Sequence, residues 1–314
     1  MQKAPSYPLG GVSLQTITGD ASAKAPPDRV GWAALLAGTA IIAWSGVLAR
    51  WLDVGPLAGA AWRMALATPA LAVWSGLSAR RRGSGSPGAI AALALPLALS
   101  GLAFAIDVGS FHLSLNGVHN TSVANASFIG NVAPILAVVG GALFFRERAE
   151  PRVWPALALA LLGAWIMAGM AAPQAVRWGD ALALNAAVAY AAYLMFIKRV
   201  RSRLDGPTAT LISAAVSAAL LAAAACARGE TLIPSSAAGW AVVFLLGFVS
   251  HAMGQGLTSV ALGRVPVALV ALVILAQPPV SALIAWALLD ESMSPRQLAG
   301  GLTILAAVFL ARPR

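Results

Sequence analysis

The chain has 314 residues, 59% of them hydrophobic and only 10% charged, with a mean hydropathy of +0.80. Soluble domains carry about 25% charged residues, so this chain lacks the polar surface a water-soluble enzyme or binding module needs. The net charge of +10 does not point to nucleic acid, because the basic residues form no block interleaved with aromatics.

In chain order, the first 30 residues are polar and carry scattered Gly, Ser, Thr and Pro, and they read as a disordered cytoplasmic tail. Apolar runs then recur, each about long enough to cross roughly 30 Å of hydrocarbon as a helix. The expected spans are Gly31–Trp51, Pro56–Leu77, Ala89–Leu115, Thr121–Phe145 and Val153–Ala172. A second set follows at Gly179–Ile197, Thr208–Ala227, Trp240–Leu262, Pro266–Leu289 and Gln297–Leu310. The spans place a first five-helix repeat at 31–172 and a second at 179–312. Short alternating strands, which a barrel would need, are absent from the pattern.

The spans hold few polar groups, and each ionisable one costs roughly 2.5–3.5 kcal/mol to insert. Arg63 lies seven residues past Pro56, and Asp107 eight residues before Leu115, so the two sit at matching depths on an expected antiparallel hairpin. They form either a buried ion pair or two cavity-facing groups. His251 falls near the middle of Trp240–Leu262, where it either bonds a backbone carbonyl or meets the cavity. Helical spacing puts Asn125 and Phe128 on one face, and Gln277 precedes the helix-breaking Pro278. Trp44 and Tyr193 are too deep to be interface anchors and are candidate cavity walls. Glu147 and Glu291 mark helix ends and suit a structural role. Cys226 is the only cysteine, so neither an intrachain disulfide nor a cysteine metal cluster is available, and no metal or other cofactor is expected.

The basic residues sort by side. With the N-terminus in the cytoplasm, sixteen of the 21 Lys and Arg fall in cytoplasmic segments and four in external ones, with Arg63 inside a span. Such a bias fixes both termini in the cytoplasm. A shift of 144 residues lays Asn131-Val-Ala-Pro134 over Leu275-Ala-Gln-Pro278, Glu147 over Glu291, Phe104 over Phe248 and Asp107 over His251. Ala43-Trp44 and Ala192-Tyr193 match at a slightly larger shift. An odd number of helices per half turns the second half upside down. The expected fold is therefore all-α and polytopic, with ten transmembrane helices as two inverted five-helix repeats, an arrangement shared by many secondary transporters.

These residues resemble an EamA-type member of the drug/metabolite transporter superfamily from about Gly31 to Leu310. Trp44, the Trp62-Arg63-Met64 stretch, Ser122-Val123-Ala124-Asn125-Ala126 leading to Pro134, and a Glu closing each repeat carry the likeness. Two departures stand out: Arg146 and Asp290 replace the usual Gly before that Glu, and the second half has no Arg matching Arg63. The resemblance implies a central cavity lined by helices 1–4 and 6–9, with helices 5 and 10 peripheral, and metabolite or drug export as the role.

Arg63 is the only deep basic residue, so a phosphorylated ligand would lack counter-charges. The expected activity is export, by alternating access across the plasma (inner) membrane, of small neutral, zwitterionic or weakly cationic metabolites. Amino acids, related compounds and amphipathic drugs fit that description. A membrane-embedded enzyme or a channel is the alternative, but His251-Ala-Met-Gly254 lacks the accompanying serine motif, and no zinc motif or phosphate loop exists. The partners are a small-molecule substrate and the lipid bilayer, with no nucleic acid and with a homodimer left open.

Overall fold

The computed structural model describes residues 28–82, 87–115, 123–147, 149–169, 178–289 and 292–312. The tail up to residue 27, Arg148, Glu291 and the Thr121-Ser122 pair lie outside them, as does the side chain of Asn125.

The first half runs α1 (Arg29–Leu48), α2 (Pro56–Arg82), the short α3 (Pro87–Ala92), α4 (Ala94–Leu115), α5 (Val123–Gly130), α6 (Ala133–Phe145) and α7 (Val153–Ala168). The second half runs α8 (Trp178–Val200), α9 (Gly206–Ala227), α10 (Ala237–Leu245), a π-helical segment (Leu246–Gln255) and α11 (Gly256–Leu262). It ends with α12 (Val267–Ile274), α13 (Gln277–Leu289) and α14 (Pro295–Ala311). Every regular element among the described residues is helical.

Among the described residues, seven helices are long and apolar enough to cross a membrane: Arg29–Leu48, Ala94–Ser114, Phe128–Phe145, Trp178–Val200, Gly206–Ala227, Ala237–Leu262 and Val267–Leu288. Val153–Ala168 and Pro295–Ala311 are apolar but shorter. Pro56–Arg82 has the length, but Arg63, Thr68, Ser75 and the arginines at its end dilute its apolar character. The protein is a multi-pass membrane protein.

Two of these helices are interrupted, for the same reason. Pro134 and Pro278 have no N–H to donate, and the chain takes tight three-residue bonds beside them. Asn131 N donates to Phe128 O at 3.0 Å and Val132 N to Ile129 O at 3.0 Å, while Ala276 N donates to Val273 O at 2.9 Å. α5 therefore stops before α6, and α12 before α13, at positions that the repeat makes equivalent.

The halves interlock. α4 packs on α8, and α1 packs in the matching way on the π segment and α11. α4 also lies along α9, as the π segment lies along α2. α5 and α6 touch α8, and α13 and α12 touch α1. α2 meets its own counterpart α9, and α7 meets α14. Each contact keeps its partner when the halves are exchanged.

Glycines bring some of these backbones close, as suits helix packing in lipid. A methyl on Gly300 of α14 would sit 2.5 Å from the Gly163 carbonyl of α7. One on Gly38 of α1 would sit 2.8 Å from the Gly254 carbonyl.

Each end of the bundle is tied by polar contacts. At the end carrying Asp53, Glu230 Oε2 accepts from Leu57 N at 2.8 Å and Ala58 N at 3.0 Å, satisfying two free donors at the start of α2. Beside it, Asp53 Oδ2 accepts from the hydroxyls and backbone N–H groups of Ser235 and Ser236 at 2.9–3.1 Å. Desolvation pushes the Asp53 carboxyl up, but these four bonds outweigh it and hold the group below its ordinary value.

At the opposite end, Arg264 Nη1 pairs with Asp28 Oδ2 at 3.0 Å. Glu147 there joins three elements. Its Oε1 pairs with Lys198 Nζ at 3.0 Å, and its Oε2 accepts from Val267 N at 3.0 Å. Lys198 also donates to Val265 O at 3.1 Å.

Candidate functional site

A cavity of about 340 Å³ lies between the two halves, within the usual range for small-ligand sites. α1 supplies Ile42, Ser45 and Gly46, and Ala49 just past its end continues the same face, spaced by three or four residues. α2 supplies Gly59, Ala60 and Arg63, from its first turns. α4 supplies Phe104, Asp107, Val108, Phe111 and His112. From the second half come Tyr190 and Leu194 of α8, Leu246 and Gln255 of the π segment, and Ala271 and Ile274 of α12.

Both helix breaks open onto this cavity. Gly130, Asn131, Ala133 and Pro134 line it from the first, and Leu275, Gln277 and Pro278 from the second. Non-helical backbone at membrane depth is stable only where it is buried or borders a polar cavity. Leu194 and Ala271 form the floor. Each is one helical turn from Lys198 or Val267, so the Glu147 network lies directly beyond them.

Of the eight residues that the sequence singles out, Arg63, Asp107 and Gln277 line the cavity. Arg63 and Asp107 are not ion-paired: no Arg–carboxylate pair between them lies within 4.0 Å among the described residues. Arg63 Nη2 donates instead to Ser250 Oγ at 3.1 Å, and its Nε is buried with no partner among the described residues. Gln277 Nε2 is likewise buried without a partner among them.

His251 is 2% exposed and lies behind Phe104, with ring centroids 5.3 Å apart, outside the lining. Neither of its ring nitrogens has a partner among the described residues, so it does not bond a backbone carbonyl. Tyr193, 1% exposed, stacks on the lining residue Tyr190 at 5.9 Å and lies tilted against Phe104 at 4.6 Å, and so forms a second layer.

Trp44 is 39% exposed on the bundle surface. It stands two residues from Ile42, which turns it about 200° away from the lining face of α1. Phe128 packs against the buried cluster around Val138 and Leu272, and the nearby break turns Asn131 to the cavity instead.

Three lining groups carry no candidate role in the sequence reading: His112, Tyr190 and Gln255. His112 Nδ1 lies 2.7 Å from Val108 O. Gln255 is 2% exposed, and its side chain lies against the Tyr190 and Tyr193 hydroxyls. A signal for each exists in the sequence. Gln255 is one turn past His251, Tyr190 is three residues before Tyr193, and His112 is an ionisable residue inside an expected span.

A family model described as the EamA-like transporter family matches residues 29–169 and again 177–312. The chain belongs to the EamA-like transporter family. Two copies of one family unit thus account for nearly all of it. No curated protein matches the chain. A solved crystal structure, titled only as that of a protein, shares the fold with a TM-score of 0.73 at 20% identity. The match covers 89% of this EamA-family chain and 98% of the other.

Proposed function

We propose that this EamA-family protein is a secondary transporter whose helices make ten crossings in two antiparallel five-helix halves. It exports a small neutral, zwitterionic or weakly cationic molecule by alternating access, with both termini in the cytoplasm of an inner-membrane protein. The observation that carries the reading is that two repeat-equivalent helix breaks meet at one cavity between the halves. Broken helices at a repeat interface are where carriers of this architecture hold their cargo. The exchangeable packing of the halves and the sixteen-to-four distribution of basic residues support the antiparallel arrangement.

The cavity composition supports the substrate class. Arg63 is the only Lys or Arg among the described residues that line it, so a phosphate ester with nearly two negative charges has too few counter-charges. Phe104, Phe111, Leu194 and Leu246 suit an apolar portion. No observation favours a membrane-embedded enzyme or a channel.

Counterflow tests the reading. Proteoliposomes preloaded with unlabelled substrate should accumulate labelled substrate transiently and saturably, with amino acids and amphipathic cations as the first compounds tried. Phosphorylated metabolites should not compete. A non-saturating conductance, or tight saturable uptake of a phosphate ester, would contradict it.

A further inference from the structure

α1 and α2 are consecutive, yet they make no extended contact with each other. Both lean on the second half, α1 on the π segment and α11, α2 on the π segment and α9. Between them a groove of about 410 Å³ opens at the end of the bundle that carries Asp28. It shares no lining residue with the central cavity among the described residues.

The groove's polar and apolar groups are sorted by depth. Ser78 in the last turns of α2, Arg201 just past α8 and Asp205 just before α9 stand at its mouth. Ala33 and Ala37 of α1, Trp74 of α2 and Leu257 of α11 form the walls farther in. Trp74 is a fixed wall. It packs on the cluster of Leu71, Ala214 and Ala252, and a methyl on Gly256 would come within 2.7 Å of its ring. From the first residue of α1 to Ala37 is about 12 Å along the helix, within the roughly 15 Å that one leaflet contributes to the hydrocarbon core. Ala33 and Ala37 are exposed, so the groove faces the bilayer sideways.

The mouth is positively charged. Asp205 caps α9, its Oδ1 accepting from Thr208 N and its Oδ2 from Thr208 Oγ1, both at 2.9 Å. Arg201 is fixed at the lip, where its Nε donates to Ser259 O at 2.8 Å and its Nη1 to Leu204 O. Arg29 is exposed and stands above Ala33 and Ala37 on one face of α1, at spacings of four residues. It has no ion pair among the described residues, and its neighbour Asp28 is paired with Arg264 instead.

We propose that this groove holds an anionic phospholipid, its phosphate between Arg29 and Arg201 and one acyl chain along Ala33 and Ala37 against Trp74. A soluble anion would leave the apolar walls uncovered, and a lipid without net charge would leave Arg29 uncompensated. Basic pockets between helices on the cytoplasmic side suit anionic headgroups, and the topology proposed above makes this end cytoplasmic. The site stands whatever the central cavity carries.

Native mass spectrometry of the purified full-length protein tests it, with phosphatidylglycerol and phosphatidylcholine of identical acyl chains as probes. Delipidated protein should hold one phosphatidylglycerol about tenfold or more tightly than phosphatidylcholine. Arg29→Ala should bring the two lipids to within about threefold of each other. Arg199→Ala removes an exposed cation at the same end that is not part of the lining, and it should leave the preference at the wild-type level. Ala37→Phe fills the groove and should weaken both lipids. Equal retention of the two lipids by the wild type would overturn the proposal. So would equal losses in Arg29→Ala and Arg199→Ala, which mark a diffuse attraction to the basic face, or wild-type retention in Ala37→Phe. The two arginine variants change only exposed side chains, so the decisive comparison does not depend on repacking the interior.

Discussion

Glu147→Ala should lower the stability of the purified protein by about 2 kcal/mol, enough to move Tm down by several degrees, whereas Glu147→Gln should cost about half as much. The carboxylate closes the end of the bundle beyond the cavity floor by three connections. It accepts from Val267 N at the start of α12 and pairs with Lys198 at the end of α8, and it sits just past α6. Alanine leaves an amide at the helix start without its acceptor and a mostly buried ammonium without its counter-charge. Glutamine keeps an acceptor for Val267 N and loses only the charge. The pair is partly screened, since Lys198 and Glu147 keep 19% and 23% of their side chains exposed, and this holds the estimate below that for a fully buried pair. Heating in detergent with a native-size readout checks both variants. Glu147→Ala melting like wild type would mean that the contact contributes nothing.

Arg63→Gln and Asp107→Asn should each reduce the initial rate of substrate counterflow by about tenfold or more, and combining them should restore nothing. Were the two residues a buried ion pair, each single change would strand a charge and the double change would recover much of the lost stability. Here Arg63 is held by Ser250, and Asp107 faces the same cavity with no ion pair to it. Their stability effects should accordingly add to within about 0.5 kcal/mol. Melting curves of the four proteins and their counterflow rates decide it. Recovery of fold and flux together in the double variant would show that the residues form a structural pair after all.

The sequence announces the helices because each crossing needs its own apolar run, and lipid leaves no other way to satisfy the backbone. It also marks both helix breaks, since Pro134 and Pro278 lie thirteen residues before Glu147 and Glu291. Boundaries were legible to within a few residues, although the expected span at Ala89–Leu115 proves to be α3 and α4, meeting at Leu93. The identity of the cavity wall was less legible. Trp44 and Tyr193 are equivalent aromatics, yet one faces outward and the other lies behind Tyr190. Their fates depend on helix rotation, which contacts between the halves decide and no local spacing encodes. The π segment is a further case: its extra residue per turn redirects Gln255, and no residue in Leu246–Gln255 signals it by type. Only the depth of Arg63 and Asp107 could be read in advance, not whether they touch.

The antiparallel relation of the halves is the claim on which the rest depends, and the sidedness of two equivalent loops tests it most directly. Cys226 is the only cysteine and is exposed, so it is first replaced by Ser. Single cysteines are then placed at Arg148 and Arg296, and intact cells are treated with a membrane-impermeant maleimide before and after permeabilisation. The cysteine at 296 should react in intact cells, and the one at 148 only once the membrane is opened. Both positions reacting from the same side would contradict it.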